Sequence, residues 1–285
     1  MAEHHRSVFE SVARQKIEEA AASNIEMLST VFDRKLETAS LHVGNAWTRL
    51  QYDGNFRLAA IPPNGPHVSL IFVQSLNGNT DAADLAVFGA GSTDRHLLYE
   101  GLSRVAVDAV LVGARTVHPL AFFSVWHPEL IALRAALNLP RHPAQVVVSK
   151  TGNVDLGSLL FNVPDVPVFL IGGEVCFQRH AAALAARQWV RPVLLDDAGL
   201  GAAIDRLRLE HNIDRISAVG GPTTATRLVD EGVARDLYLT TGPCDGGVFN
   251  TPWYVGAVRP TLTVITRKQW GEIGARVVFE HIVVR

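Results

Sequence analysis

The sequence predicts an α/β fold: a mostly parallel sheet covered on both faces, with an antiparallel C-terminal hairpin. Three observations carry this. Short apolar runs alternate with helical patterns through the middle of the chain, as they do when crossover helices join parallel strands. The run at 68–73 is almost continuously apolar, and so is 166–171, which is the pattern of strands buried on both faces. The last two runs, 262–267 and 275–284, face each other across Lys268-Gln269-Trp270-Gly271-Glu272 with no helix between them, so they form a hairpin.

Taken in order, residues 1 to about 40 read as helix, because Val8, Val12, Ile17, Ala20, Ala21, Met27, Leu28, Val31 and Phe32 recur at roughly helical spacing. Residues 41–66 are mixed, anchored by Trp47, Leu50, Tyr52 and Phe56, and end in Pro62-Pro63-Asn64-Gly65-Pro66. That break divides a helical extension, 1–66, from a main domain, 67–285. The extension reads as a dimerisation arm, as a lid, or as a helix that covers one face of the core. The strand at 68–73 runs into a polar loop, 74–81. Residues 93–107 read as a helix with Leu97, Leu98, Leu102 and Val105 on one face and Ser92 or Thr93 as its N-cap. A strand at 108–112 leads to Gly113-Ala114-Arg115-Thr116, followed by an irregular excursion over 117–143 with a short helical piece near 129–137. Strands at 145–149, 166–171 and 190–195 then alternate with helices at 177–188 and 200–211. Next come a strand over 213–219, a helix over 224–231 and a strand over 236–241.

The chemistry gathers at strand ends. Gly220 and Gly221 follow the strand at 213–219, Pro222 stands where the next helix begins, and Thr223 and Thr224 follow it. Glycines before a helix N-terminus bring bare backbone amides and the positive end of the helix dipole to one place, which is an anion site. The same stretch also reads as a tight connection with no ligand. Four other strands end in polar or glycine-bearing loops: 75–78, 113–116, 149–152 and Gly172-Gly173. Ligands of open α/β sheets bind at these carboxyl ends, so one extended ligand along the edge is expected. Arg115 has the fork of donors that suits a phosphate.

Composition and motifs exclude much else. Twenty-six basic residues nearly cancel 28 acidic ones, so no strong field recruits nucleic acid or an anionic membrane. Two cysteines, Cys176 and Cys244, make no disulfide framework and no zinc spacing. No apolar run is long enough to span a bilayer, and the N-terminus lacks a secretory pattern, so a cytoplasmic setting is expected. Gly89-Ala90-Gly91 starts like a dinucleotide fingerprint, but position 94 is Asp and no clear strand precedes it. No P-loop, nucleophile elbow or metal cluster is present, and no catalytic dyad stands out. That absence suits hydride transfer, in which the cofactor carries the hard chemistry.

Three stretches, Ser75-Leu76-Asn77-Gly78, the run Asp108-Ala109-Val110-Leu111-Val112-Gly113-Ala114-Arg115-Thr116-Val117, and Gly220-Gly221-Pro222-Thr223, resemble the RibD C-terminal reductase family of riboflavin biosynthesis, relatives of dihydrofolate reductase. Pro243-Cys244-Asp245-Gly246-Gly247 is similar to that family's turn at the corresponding place. The resemblance covers about 67–284. It implies a three-layer αβα dihydrofolate-reductase-like fold, NADPH as hydride donor, a small-molecule substrate and a homodimer. It places Gly113, Arg115 and Thr116 against the adenosine and phosphate half of NADPH, with Ser149, Gly172 and Gly173 along the same cofactor. Gly220, Gly221, Pro222, Thr223 and Thr224 would cradle the pyrophosphate. Ser75, Asn77, Gly78 and Thr80 would line the pocket between nicotinamide and substrate, with Ser92 nearby.

The departures lie on the substrate side. Asn77, Val219 and Trp126 stand where the family carries carboxylates. A site built on hydrogen bonds discriminates strongly when partners are removed, so the cofactor groove is kept while the usual substrate is put in question. No deaminase signature is present. The expected activity is reduction of a small heterocyclic or ribosylamino-pyrimidine-type substrate. The alternatives are the riboflavin-pathway reduction of 5-amino-6-(5-phosphoribosylamino)uracil and a non-catalytic nucleotide-binding protein on the same fold.

Overall fold

A computed structural model describes residues 2–34 and 41–285. The strands in chain order are β1 (Ser29–Asp33), β2 (Leu41–Val43), β3 (Phe56–Leu58), β4 (His67–Gln74), β5 (Ala109–Gly113), β6 (Ala144–Val148), β7 (Val168–Gly172), β8 (Val190–Leu194), β9 (Arg215–Ala218), β10 (Ala234–Thr241), β11 (Leu262–Trp270) and β12 (Val277–Val284). The helices are α1 (Ala2–Ala22), α2 (Ala46–Gln51), α3 (Pro128–Ala136), α4 (Glu174–Ala185), α5 (Gly199–His211) and α6 (Pro222–Asp230), with a π-helix at Thr93–Leu102. All strands but β2 and β3 join one sheet in the order β1-β11-β12-β10-β4-β9-β5-β6-β7-β8. From β10 to β8 the neighbours are parallel, and β12, β11 and β1 complete the sheet antiparallel. The predicted alternation and terminal hairpin are therefore both present.

Two apolar cores flank the sheet. One buries Leu97, Leu98, Val110, Val112, Trp126, Leu160 and Phe279 beneath the π-helix and the segments around it, with Val8, Phe9 and Val12 of α1 packed against it. The other buries Leu111, Phe169, Leu200, Ile204, Leu207 and Leu228 beneath α5 and α6. β4 is buried along its first six residues and β7 throughout, as central parallel strands are.

Two local expectations are corrected. The helix expected over 1–40 ends at Ala22, and residues 29–33 form β1 instead, paired antiparallel with β11; residues 35–40 lie outside the described residues. Ser29-Thr30-Val31-Phe32 is rich in β-branched and aromatic side chains that fit a pleated strand, and the hairpin edge offers it backbone partners. Ser92 does not cap the helix after β4. Its backbone is already helical (φ −67°, ψ −29°) and its side chain makes no cap bond. The next hydroxyl, Thr93 Oγ1, instead accepts the Glu26 N–H at 2.8 Å, so the N-terminal segment holds the first turn. That helix is wider than expected, with Ser103 N–H donating to Leu98 O five residues back; such turns are frequent at functional sites.

The extension docks on the hairpin through Lys268, which is buried and donates to Thr30 Oγ1 (2.7 Å) and Asp53 O (3.1 Å) above the Tyr52 ring. Burial pushes its ammonium pKa down to about 8. Near the start of β10, Asp236 is buried between His67 Nε2 (2.7 Å) and His281 Nε2 (3.1 Å). Burial alone would push its carboxyl up, but the hydrogen bonds from His281 and His67 outweigh it and hold Asp236 well below the usual carboxylate range.

Candidate active site

The carboxyl ends of β10, β4, β9, β5, β6 and β7 lie side by side along one edge, so the five loops singled out in the sequence become neighbours. β9 sits between β4 and β5, which puts the Gly-Gly-Pro turn between the 75–80 loop and the 113–116 loop.

The structure brings Gly113, Gly220 and Thr224 together. A Cβ added at Gly113 would lie 2.8 Å from Thr224 Oγ1, and one at Gly220 would lie 3.3 Å from Thr224 Cβ. Close approach of the two loops thus favours glycine at both positions, since a side chain at either would push on Thr224. Gly221 differs: it is exposed, has extended backbone (φ −67°, ψ 173°), and nothing lies within 4 Å of an added Cβ. Pro222 opens α6, no side chain caps this end, and Thr223 is exposed. Open backbone at an uncapped helix N-terminus is what a pyrophosphate needs, so the residues present fit the phosphates of a dinucleotide. Arg115 is exposed on the short turn at Ala114–Thr116 and enters no ion pair among the described residues; Thr116 beside it is half-buried.

Farther along the edge the expected cofactor residues are more internal. Ser149 is buried, its N–H donating to Ile171 O at 2.9 Å. Gly172 is buried too, and an added Cβ would meet Cys176 Sγ at 2.8 Å and Ser149 O at 3.0 Å. Packing against Cys176 therefore explains that glycine. Burial raises the Cys176 thiol pKa. Gly173 is half-buried and opens α4 without a side-chain cap.

The loop 75–80, expected from the sequence to meet the substrate, is braced. Ser75 is fully buried; its hydroxyl donates to Asn77 Oδ1 at 2.6 Å and accepts the Asn79 N–H at 3.1 Å. Asn79 Nδ2 donates to Asn77 Oδ1 (3.0 Å) and Gly246 O (2.9 Å), and the Thr80 N–H and hydroxyl both donate to Thr251 O at 2.8 Å. The loop is thereby tied to residues 244–251, which follow β10. Gly78 takes φ +84° with open space around it, Asn77 is exposed, and Ser92 is half-buried at the start of the π-helix. Of the positions where carboxylates were missing, Val219 is core beside Gly220. Trp126 is core as well, 1% exposed and packed near Phe122 and His142.

Sequence reasoning passed over Asp94. It stands in the first turn of the π-helix, only 8% exposed, beside the Thr240 hydroxyl near the end of β10. Burial pushes its pKa up to about 6, against a smaller downward pull from Thr240. A signal was present: Asp94 falls three and four residues before Leu97 and Leu98, and so lies on the apolar stripe of its own helix.

No helix among the described residues is long and apolar enough to cross a membrane, and no group of three or more His, Cys, Asp or Glu there could hold a metal ion. Among curated proteins, no sequence matches the chain. Solved structures do share its fold. A pyrimidine reductase-like protein from Corynebacterium diphtheriae superposes with a TM-score of 0.61 at 20% identity, covering 78% of this chain and 93% of that one. Acinetobacter baumannii RibD gives 0.58 at 16% identity, over 78% of this chain and 59% of that one. The diaminohydroxyphosphoribosylaminopyrimidine deaminase/5-amino-6-(5-phosphoribosylamino)uracil reductase of Thermotoga maritima gives 0.50 at 17%, over 78% and 57%. The chain thus spans somewhat under three-fifths of the length of these last two proteins. The RibD C-terminal domain family model matches residues 66–279, so the motifs that met at the sheet edge and the fold that holds them agree: the chain belongs to the RibD C-terminal domain family.

Proposed function

We propose that this protein is an NADPH-dependent reductase that transfers hydride to a C=N or C=O bond of a small heterocyclic or ribosylamino-pyrimidine-type substrate. The observation that carries this reading is the meeting of Gly113, Gly220 and Thr224 beside the open Gly221 at an uncapped helix N-terminus. Gly220, Gly221, Pro222, Thr223 and Thr224 hold the pyrophosphate in this reading. Gly113, Arg115 and Thr116 take the adenosine and phosphate half, with the unpaired Arg115 on the 2′-phosphate. Ser149 and Gly173 follow along the cofactor, while Gly172 serves by letting Cys176 pack. Reduced nicotinamide, when bound, supplies the hydride; the chain's own task is to orient the ring, exclude water and manage the proton.

On the substrate side Asn77 and Gly78 present the open part of the loop, Ser75 and Thr80 hold it in shape, and Ser92 opens the π-helix nearby in the chain. The second reading, reduction of 5-amino-6-(5-phosphoribosylamino)uracil, is favoured by membership of the family. It has to work without carboxylates at Asn77, Val219 and Trp126, two of which are core residues here. A homodimer in the cytoplasm belongs to the same proposal.

Fluorescence titration with NADPH, and with NADH for comparison, tests the cofactor side. Micromolar binding of NADPH with weaker NADH is the expected result. Binding of neither would remove the reductase reading, and tight NADPH binding without hydride loss across a pterin, pyrimidine and ketone panel would replace it with a non-catalytic nucleotide-binding protein.

A further inference from the structure

We propose that the N-terminal segment and the turn between β11 and β12 form the far end of the substrate pocket, a cavity that takes the lactam edge (ring N–H beside C=O) of a planar heterocycle. Calling that heterocycle the substrate rests on the reductase reading above. The cavity has a volume of about 600 Å³, and its lining includes Asn24, Glu26, Gln51, Gln269, Trp270 and Arg276. Small-molecule sites span roughly 300–1,000 Å³.

Register connects the cavity to the substrate-side loops. Ser29, Gln269, Val278, Thr241 and Gln74 are successive partners across β1, β11, β12, β10 and β4. The level of the sheet that carries the cavity is therefore the level at which β10 and β4 run into their loops. Gln269 is two strand spacings from Thr241 and three from Gln74, about 10 Å and about 14 Å. A pyrimidine ring with a ribosylamino arm covers that span, with the ring in the cavity and the arm at the loops. The wall itself is held in place: Glu26 N–H donates to Thr93 Oγ1 (2.8 Å) at the first turn of the π-helix, and Leu28 N–H donates to Gln51 O (2.7 Å).

Two groups in this wall are incompletely bonded, in opposite senses. Gln51 Oε1 is buried and accepts no hydrogen bond among the described residues. A buried acceptor left so costs stability, and it calls for an N–H or O–H donor. Arg276 meets no carboxylate among the described residues. Its Nη1 donates to Gln269 Oε1 at 3.1 Å, which leaves donors of its fork for another acceptor. A ligand that answers both groups carries a donor beside an acceptor, as a lactam does. Asn24 and Gln269 add amides, the side chains that pair with the edges of bases. Among the described lining residues Glu26 and Arg276 alone are charged, one of each sign. Phosphate is recognised by clusters of cationic side chains, so this lining favours a neutral edge over a phosphate tail.

Uracil is the probe, with 1,3-dimethyluracil, which lacks ring N–H groups, and ribose 5-phosphate for comparison. The whole chain, labelled with nitrogen-15 on its Asn and Gln side-chain amides, is titrated with each in the presence and absence of NADPH. Gln51→Leu and Gln269→Leu assign the two signals that matter. Uracil is expected to shift both, with the millimolar affinity that suits so small a ligand. 1,3-Dimethyluracil is expected to bind at least about tenfold more weakly, and ribose 5-phosphate to leave both signals unmoved. Gln51→Leu and Arg276→Gln should each weaken uracil by about tenfold, with NADPH affinity as in wild type. Gln51→Leu removes an unbonded buried acceptor, so without ligand it should melt no lower than wild type, which separates lost binding from lost fold. Uracil that leaves the Gln51 and Gln269 signals unmoved, or 1,3-dimethyluracil that binds equally well, overturns the proposal while the cofactor reading stands on its own NADPH titration. Ribose 5-phosphate that moves these signals makes the cavity a phosphate site and also overturns it. A wild type that binds uracil here but neither dinucleotide ends the reductase reading and overturns the substrate role.

Discussion

Two buried aspartates mark opposite ends of β10, Asp236 within the strand and Asp94 beside it, and their surroundings separate them. Asp236, near the start of the strand, is held between His67 and His281. Asp94, near its end, has no charged partner and only the Thr240 hydroxyl alongside. Both are more than nine-tenths buried, so burial alone does not set their chemistry. Hydrogen bonds from two imidazoles hold one carboxyl far down, and desolvation that the Thr240 hydroxyl offsets only in part pushes the other up to about 6. A carboxylate held between two imidazoles stays ionised as a fixed part of the frame, whereas one that meets only a hydroxyl keeps its proton to a higher pH.

Breaking the partnered site should have the largest effect. His67→Ala with His281→Ala would leave Asp236 buried and unpaired, a change that costs about 3–5 kcal/mol when a buried pair loses a partner. The depressed pKa of Asp236 means that its stabilisation is present above the unfolded-state value and is lost as pH falls below about 4. Chemical denaturation should therefore show the double variant much weaker than wild type at pH 7, with the gap narrowing at strongly acid pH. A gap that does not change with pH would mean that the imidazoles serve only as packing.

Asp94 should show the opposite sign. A carboxyl raised to about 6 binds its proton more tightly folded than unfolded, so it costs no stability below about pH 4. It takes stability away progressively as pH rises to 6, and the full deficit remains above that. Asp94→Asn removes the charge, so this variant should be more stable than wild type at pH 8 by about 2–3 kcal/mol, from roughly two pKa units at 1.36 kcal/mol each. The advantage should vanish at pH 4. Urea melts of both proteins at the two pH values measure it. Equal stability at pH 8 would mean that the ionised carboxylate reaches solvent or a partner.

The contrast also shows what the sequence revealed and what it hid. Alternating strands and helices, the terminal hairpin and the Gly-Gly-Pro turn are local patterns, and each appears where the residues placed it. β1 was hidden because its pairing is non-local: every side chain of 29–33 is exposed, and what makes it a strand is a backbone ladder to β11, which begins more than 200 residues later. Ser92 was misread because a serine before an apolar run suits a cap, but the N-terminal segment occupies the next hydroxyl instead. Asp94 was hidden because its raised pKa depends on burial beside β10, which only the folded sheet supplies. Trp126 was matched to a family carboxylate through the run Trp126-His127-Pro128-Glu129-Leu130, and the fold places it in the core.

The same difference between a filled and an open neighbourhood divides two glycines that looked alike in sequence, and it gives the smallest predicted effects. At Gly172 an added Cβ would press on Cys176 Sγ, Cys176 Cβ and Ser149 O at 2.8–3.0 Å. Gly172→Ala should therefore cost about 1–3 kcal/mol by overpacking, with NADPH affinity following stability rather than changing by itself. At Gly221 an added Cβ meets nothing within 4 Å, and the backbone is in a region open to alanine. Gly221→Ala should leave the melting temperature nearly unchanged. If the proposed cofactor placement holds, it should still weaken NADPH, because the methyl group would stand where that reading brings the pyrophosphate to the first turn of α6. Thermal melts beside NADPH titrations of the two variants separate the cases. A Gly221→Ala protein that binds NADPH as wild type does would move the phosphates off this turn and leave Gly113 and Arg115 as the place to look for them.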